Sequence, residues 1–250
     1  MRYRKQILAP CFGEATQHCL AKATVAIVGC GGLGTWQAEL LARMGIGRLR
    51  LADDDRVTLE NLHRQILFTE QDAVAGLLKV RAAAARLRQI NTHVVIEPYE
   101  MRITRDTLDA FAAEADLVLD ATDHAPTRFL INDFCLAHAI PWIYTGVAGE
   151  EGLILPVLPS GGPCLRCLYP DPPEPDETAN CRTDGILPMT VAMAVSLQIA
   201  QAVRVLNGNA EPGTLIRFNV WSAVARRVRL ERLPTCPGCG LRLRNGTNET

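Results

Sequence analysis

Residues 26–55 read AIVGCGGLGTWQAELLARMGIGRLRLADDD. The apolar run 25–28 has the character of a strand buried on both faces. Gly29, Gly31 and Gly34 follow it as G-x-G-x-x-G. An apolar pattern of helical period covers 35–44 and stops at Gly45 and Gly47. A second strand, 48–52, ends at Asp53, roughly 20 residues past the glycines, as in the dinucleotide fingerprint. Each part has a physical role. Gly29 permits a tight turn, Gly31 lets the backbone approach a phosphate, and Gly34 lets the helix lie close to the strand. Free N–H groups and the positive dipole end at the helix start attract that phosphate. Asp53 is placed to accept hydrogen bonds from ribose hydroxyls. The competing reading is a glycine-rich turn that serves helix–strand packing alone. The strand before, the helix after and the acid beyond favour a nucleotide, but do not separate a dinucleotide from ATP.

Composition narrows the class. A chain of 250 residues with 48% hydrophobic and 21% charged content is long enough to bury a substantial core as one large α/β domain or two small ones. A net charge of −1 argues against a chain that lives on nucleic acid or on an anionic membrane. The start, MRYRKQILAP, has basic residues but no long apolar region behind them, unlike a secretory signal. Residues 186–206 approach the length of a bilayer span. They hold Pro188, Ser196, Gln198, Gln201 and Arg204, the last three near one helical face, and read as an amphipathic helix buried in the core or in a subunit interface.

The nine cysteines include two C-x-x-C pairs, Cys164/Cys167 and Cys236/Cys239. Two such turns far apart in sequence are the signature of a structural four-cysteine zinc site, since tetrahedral zinc takes two thiolates from each. The alternatives are a redox pair or disulfides. Five further cysteines in a chain without a secretory signal point to a reducing, cytoplasmic setting.

Outward from the opening stretch, strands alternate with helices. Residues 1–22 read as helical. Residues 57–68, VTLENLHRQILF, carry Asn61, Arg64 and Gln65. A helix at 76–91 has Lys79 near its start. Strands at 93–99, 115–121 and 141–147 alternate with helices at 104–113, where Thr104 is the N-cap, and 127–139. This pattern defines a parallel, doubly wound sheet with ligands at the C-terminal strand ends, where Asp53 and Asp123 both fall. Past Gly149 the character changes. A strand at 152–159 leads to the first cysteine pair, and a proline-rich acidic stretch, 169–178, excludes regular structure. The long helix, strands at 215–221 and 225–233 and the second pair follow. The expected fold is thus a Rossmann-like doubly wound, mostly parallel sheet with an antiparallel C-terminal extension. It forms one domain over 1–240, with a nucleotide-binding half (1–150), a zinc and carrier-binding half (151–240) and a frayed tail (241–250).

Arg64 and Lys79 lie on the side where phosphates would extend, and Asp123 ends a neighbouring strand. A dehydrogenase needs no cationic pair for a triphosphate. An enzyme that splits ATP does, because Arg and Lys neutralise charge that shifts during transfer while an aspartate holds Mg²⁺. The bland readings are a solvated helix face for the two cations and a helix cap for Asp123.

The motifs in order are G-C-G-G-L-G-T, L-A-D-D-D-x-V-x-L-x-N-L-x-R-Q-I-L-F-T, G-x-x-K, D-A-T-D, C-x-x-C, C-R-T-D-G and C-x-x-C. Together they resemble the ThiF/MoeB/HesA family over nearly the whole chain, most nearly its thiamine-pathway branch. These are relatives of ubiquitin-activating enzymes that adenylate ubiquitin-like sulfur carriers. The resemblance implies that Gly29, Gly31, Gly32 and Gly34 form the ATP loop and that Asp53 holds the ribose. Asp55, Asn61, Arg64, Gln65 and Lys79 would surround the nucleotide and its phosphates, and Asp123 would bind Mg²⁺. Cys164, Cys167, Cys236 and Cys239 would hold zinc. Cys181 matches a thiol that bonds covalently to the thiolated carrier; its rival reading is an inert loop cysteine. The implied partners are a small sulfur carrier ending in Gly-Gly, a sulfur donor protein and a second copy of the chain in a homodimer.

The chain departs from the family pattern in three places. Lys5 stands where an arginine reaches the phosphates from the partner subunit, keeping the charge but losing the fork. His124 replaces an asparagine after Thr-Asp. The 188–203 helix lacks the usual glycines. Alternatives within the same fold are adenylation of a peptide C-terminus or a modified tRNA base, and a catalytically silent nucleotide-binding subunit. A nicotinamide-dependent dehydrogenase is the reading outside it.

Overall fold

The computed structural model describes residues 2–171 and 184–240. Cys181 and the tail lie outside the described residues. The opening stretch folds as β1 (Thr24–Val28), α3 (Gly32–Met44) and β2 (Arg48–Ala52), preceded by α1 (Arg4–Ile7) and α2 (Gly13–Lys22). Then come α4 (Glu70–Val74), α5 (Lys79–Ile90), β3 (Val95–Tyr99), α6 (Arg105–Ala112), β4 (Leu117–Asp120), α7 (Ala125–Ala137) and β5 (Trp142–Ala148). The second half adds β6 (Glu151–Val157), α8 (Leu165–Leu168), α9 (Pro188–Leu206), β7 (Thr214–Asn219) and β8 (Val224–Arg229).

All described strands join one sheet of order β3-β2-β1-β4-β5-β6-β7-β8. β3 through β5 are parallel, and β6, β7 and β8 add on antiparallel. Strand alternation sorts β1 into two layers. Val25 and Ile27 join the core under α3, α5 and α9, while Ala26 and Val28 join the one under α6, α7 and the cysteine pairs. That two-sided burial is why the strand reads as a continuous apolar run. β1 lies between β2 and β4, so the chain leaves it in opposite directions on either side. The crevice for a ligand opens at this switch point, between the C-terminal ends of β1 and β4.

Several boundaries differ from the sequence reading for physical reasons. The helix expected at 76–91 is α5, which starts three residues later, at Lys79, and ends at Ile90. A short α4 is set by a capping box between Thr69 and Asp72, Gly76 turns with positive φ, and Leu78 bridges to Arg56 before α5 starts at Lys79. α7 begins two residues early, with His124 as N-cap and Pro126 in the first turn, and the His124 ring meets Thr127 Oγ1 at 2.9 Å. α9 is long and apolar enough to cross a bilayer by length and composition, yet it packs on α3, β5 and β6. Its polar residues divide: Arg204 is partly exposed and pairs with Glu211 at 3.1 Å, whereas Gln198 faces the core. Gln198 is fully buried, bonded to Gln37 of α3 at 2.7 Å and within 3.5 Å of Asp120 O and 3.4 Å of Ile143 O.

Candidate active site

The glycine turn is closed by its own neighbours. Gly29 N–H donates to Ala52 O at 2.8 Å, and Cys30 N–H donates to Asp53 Oδ2 at 2.6 Å. A side chain at Gly29 would meet Ala121 O at 2.7 Å, and φ there is +99°, so the turn rests directly on the loop that follows β4. α3 starts at Gly32, inside the fingerprint. The N–H groups of Gly32, Leu33 and Gly34 therefore have no acceptor in a preceding turn and sit at the positive dipole end.

Around this loop stand the groups expected from sequence. Asp53 accepts from Cys30 N and, at 2.8 Å, from Asp55 N. Burial raises its carboxyl above the ordinary range, against the lowering charge of Lys79. The Lys79 side chain is 7% exposed and its ammonium meets Asp55 Oδ2 at 2.6 Å, so the cation is held by a carboxylate that is itself 62% exposed. Arg64 follows a short turn of 3-10 helix and lies over Gly32, where an added methyl would sit 3.5 Å from Arg64 Cγ and Cδ. Its guanidinium donates to Asn61 Oδ1 at 2.7 Å, and its carbonyl accepts from Trp36 Nε1 at 3.2 Å. Gln65 is buried against Gly31, and its Oε1 has no partner among the described residues. An orphaned buried acceptor beside the phosphate loop fits a site completed by a ligand. The Asp53–Asp55 carboxylates cluster, but Asp53 is taken by backbone donors, Asp54 by Arg102 and Asp55 by Lys79.

On the far side of the crevice, Asp123 is exposed in the loop after β4. Beneath it is a pair that sequence reasoning missed. Asp120 is fully buried and accepts from Arg128 Nε at 3.1 Å and from Thr122 N and Oγ1 at 2.9 Å. Burial raises its carboxyl, opposed by Arg128 and the Thr122 bonds. Burial alone would lower Arg128, but the charge of Asp120 holds it up. The available signal was an aspartate that ends an apolar strand and an arginine eight residues on. Lys5 is not among the groups brought together. It lies exposed on α1.

The four C-x-x-C cysteines converge. Cys164 and Cys236 Sγ are 3.6 Å apart and Cys167 and Cys239 Sγ 3.4 Å apart; all four sulfurs lie within 4.8 Å of one another and are buried. All four are free thiols. A tetrahedron with metal–sulfur bonds of ~2.3 Å has edges of about 3.8 Å, so the spacing fits zinc without rearrangement. Hydrogen bonding with Cys239, burial and the neighbouring cysteines push the Cys164 thiol up, while the hydrogen bond with Cys164 pulls Cys239 down. Asn132 Oδ1 accepts from Leu165 N at 3.0 Å, and Asp133 holds Arg166 with two bonds at 2.9 and 2.7 Å. These contacts clasp the first cysteine turn to α7.

Fold and site together define a class: a Rossmann-like domain with a nucleotide-type glycine turn, carrying a four-cysteine module. The ThiF family model matches residues 3–238, and the chain belongs to that family. It is 36% identical over 246 residues to the "Sulfur carrier protein adenylyltransferase" of Thermus thermophilus, covering 96% of this chain and 90% of that one. It is 35% identical to the "Sulfur carrier protein ThiS adenylyltransferase" of Bacillus subtilis, covering 96% and 71%. It is 38% identical to the "Adenylyltransferase and sulfurtransferase MOCS3" of Sus scrofa, covering 97% of this chain and 53% of that one. The chain thus spans about half the length of the MOCS3 relatives it matches. Among solved structures, E. coli MccB with ATP superimposes with a TM-score of 0.78 at 24% identity over 90% of this chain and 69% of that one, a likeness of fold.

Proposed function

We propose that this chain uses ATP to adenylate the C-terminal glycine carboxylate of a small ubiquitin-like sulfur carrier, releasing pyrophosphate. The observation that carries this reading is the placing of two cations around the glycine turn, Arg64 over Gly32 at the start of α3 and Lys79 on Asp55 with its charge acting on Cys30 and Asp53, with Asp123 in the loop after neighbouring β4. The carrier carboxylate is ionised at neutral pH, so no general base is required. One carboxylate oxygen attacks the α-phosphorus, the bond to the β-phosphate oxygen breaks, and the products are an acyl-adenylate and pyrophosphate. The chain's part is positioning and charge neutralisation. The freed N–H groups of α3 and the two cations take the phosphates, and Asp53 and Gln65 take the nucleoside side. Asp123, an exposed oxygen donor, is a residue that would hold Mg²⁺, which would supply positive charge to offset that of the phosphates. The Cys164, Cys167, Cys236 and Cys239 cluster fits zinc in a structural role, tying the segment after β6 to the segment after β8.

The second half supports a protein substrate. Leu153, Val224 and Val228 share the face of β6–β8 that carries Arg217 and Arg226, and Val224 and Val228 are exposed, as is Trp221 at 79%. An apolar strip flanked by arginines suits a folded carrier better than a small molecule. Lys5, in a homodimer, would supply its charge to the other subunit's phosphates. Cys181 would act after adenylation, when a sulfur donor protein supplies sulfur. Carrier-dependent exchange of labelled pyrophosphate into ATP tests the reading. ATP binding with no exchange for any Gly-Gly carrier would instead identify a silent partner subunit.

A further inference from the structure

We infer that Arg128 is a positioning residue that presents Asp123 to the metal–nucleotide complex, an inference that rests on the adenylation reading above. The loop after β4 has few backbone partners of its own, yet the Thr122 backbone is held on both sides. Its N–H donates to Asp120 Oδ1 at 2.9 Å, and its C=O accepts from Arg128 Nη2 at 2.6 Å. That carbonyl lies in the same rigid plane as the N–H of Asp123. Fixing it fixes where the Asp123 side chain starts.

Arg128 is itself over-determined. Its Nε binds buried Asp120 Oδ2 at 3.1 Å, its Nη2 also reaches Thr145 O at 3.5 Å, and its guanidinium carbon lies 5.3 Å from the centre of the Tyr144 ring. The Tyr144 ring meets Tyr169 edge-on at 6.2 Å, two residues past Cys167. The guanidinium therefore joins the floor of the crevice to β5, and through the Tyr144 ring it is backed by Tyr169 beside the first cysteine turn. The charge of Asp123 also acts on it. A lone surface arginine capping a helix would need none of these contacts. What the arrangement achieves is a carboxylate at the crevice that is preset, because the strand end behind it is locked by a rigid fork.

The substitution Arg128→Lys separates positioning from folding. Lysine keeps the positive charge beside Asp120, so no buried carboxylate is left unpaired, but one ammonium cannot hold Asp120 and Thr122 in the fork geometry. The experiment is ATP binding by isothermal titration calorimetry on the full chain, with saturating Mg²⁺ and with EDTA, for wild type, Arg128→Lys, Asp123→Asn and the double variant. Bound Mn²⁺·ATP is read in parallel by electron paramagnetic resonance. In wild type the metal tightens ATP binding. In Arg128→Lys that gain shrinks by about ten-fold or more, the usual cost of losing a group that orients a ligand, while affinity in EDTA and the thermal midpoint stay near wild type. The double variant is no worse than Asp123→Asn, because both act through one carboxylate. The inference is overturned if Arg128→Lys keeps the metal-dependent gain within two-fold, if it weakens ATP equally with and without metal, or if the two losses add. An Asp123→Asn variant that keeps the full gain removes Asp123 from the metal and overturns the inference with it. Absence of carrier-dependent exchange in wild type sinks only the substrate reading, since metal-dependent ATP binding is measured without a carrier.

Discussion

Gly34→Ala breaks the nucleotide loop, and Gly32→Ala does not. At Gly34 an added Cβ would fall 2.9 Å from the carbonyl carbon of Gly29, closer still to its oxygen, and 3.4 Å from Ala121 Cβ. Carbon–carbon contacts settle at about 3.5–4.0 Å. The first turn of α3 must then withdraw from the glycine turn by on the order of 1 Å, because the two Gly29 atoms are backbone and cannot rotate away. Overpacking of this kind costs roughly 1–3 kcal/mol, against at most about 1 kcal/mol gained by putting alanine into a helix. The net is a loss of up to about 2 kcal/mol, or up to about 8 °C in thermal midpoint for a chain of this size. The larger effect is functional, because a shift near 1 Å in the phosphate loop costs on the order of 10²-fold in activity. At Gly32 the same methyl meets only Arg64 Cγ and Cδ at 3.5 Å, ordinary contact with a flexible side chain. The assay is thermal unfolding together with ATP affinity by calorimetry for both variants. If Gly34→Ala bound ATP like wild type, or if Gly32→Ala unfolded the chain as badly, the steric reasoning would be wrong.

Four further outcomes follow from the same geometry. Asp120→Asn leaves Arg128 without its buried counter-charge and lowers stability by about 3–5 kcal/mol in urea unfolding; a change under 1 kcal/mol would show that solvent already satisfies Arg128. Cys236→Ser removes metal from the four-thiol cluster and costs on the order of 3 kcal/mol, roughly 6–12 °C in thermal midpoint, checked against zinc content by atomic absorption. Asp123→Asn lowers carrier-dependent pyrophosphate exchange by at least about 10²-fold with far-UV circular dichroism unchanged; normal exchange would remove its assigned role. For Asp133, burial raises the carboxyl, but the bonds from Arg166 outweigh it and hold the group below its ordinary 3.8. Its stabilisation is therefore present above pH 3.8 and lost as pH falls through the lower folded value, which an NMR titration of the Asp133 carboxyl reads directly.

Sequence by itself determined the first βαβ unit, the order of strands and helices and the two cysteine pairs. These are local signals: a strand buried on both faces must be apolar throughout, a phosphate loop needs glycine where backbone approaches backbone, and a tetrahedral site draws paired thiols from two turns. Asp53, Arg64 and Lys79 were legible for the same reason, since each stands at a fixed distance from a readable element. Tertiary structure alone decided the rest. It showed that Gly34 is indispensable to packing where Gly32 is not, because that depends on which backbone lies across from each. It buried Gln198, one residue of the apparent polar face of α9, through its bond with Gln37. It also brought Asp120 and Arg128 together beneath Asp123, because the pairing of a buried charge depends on which side chains share a desolvated space.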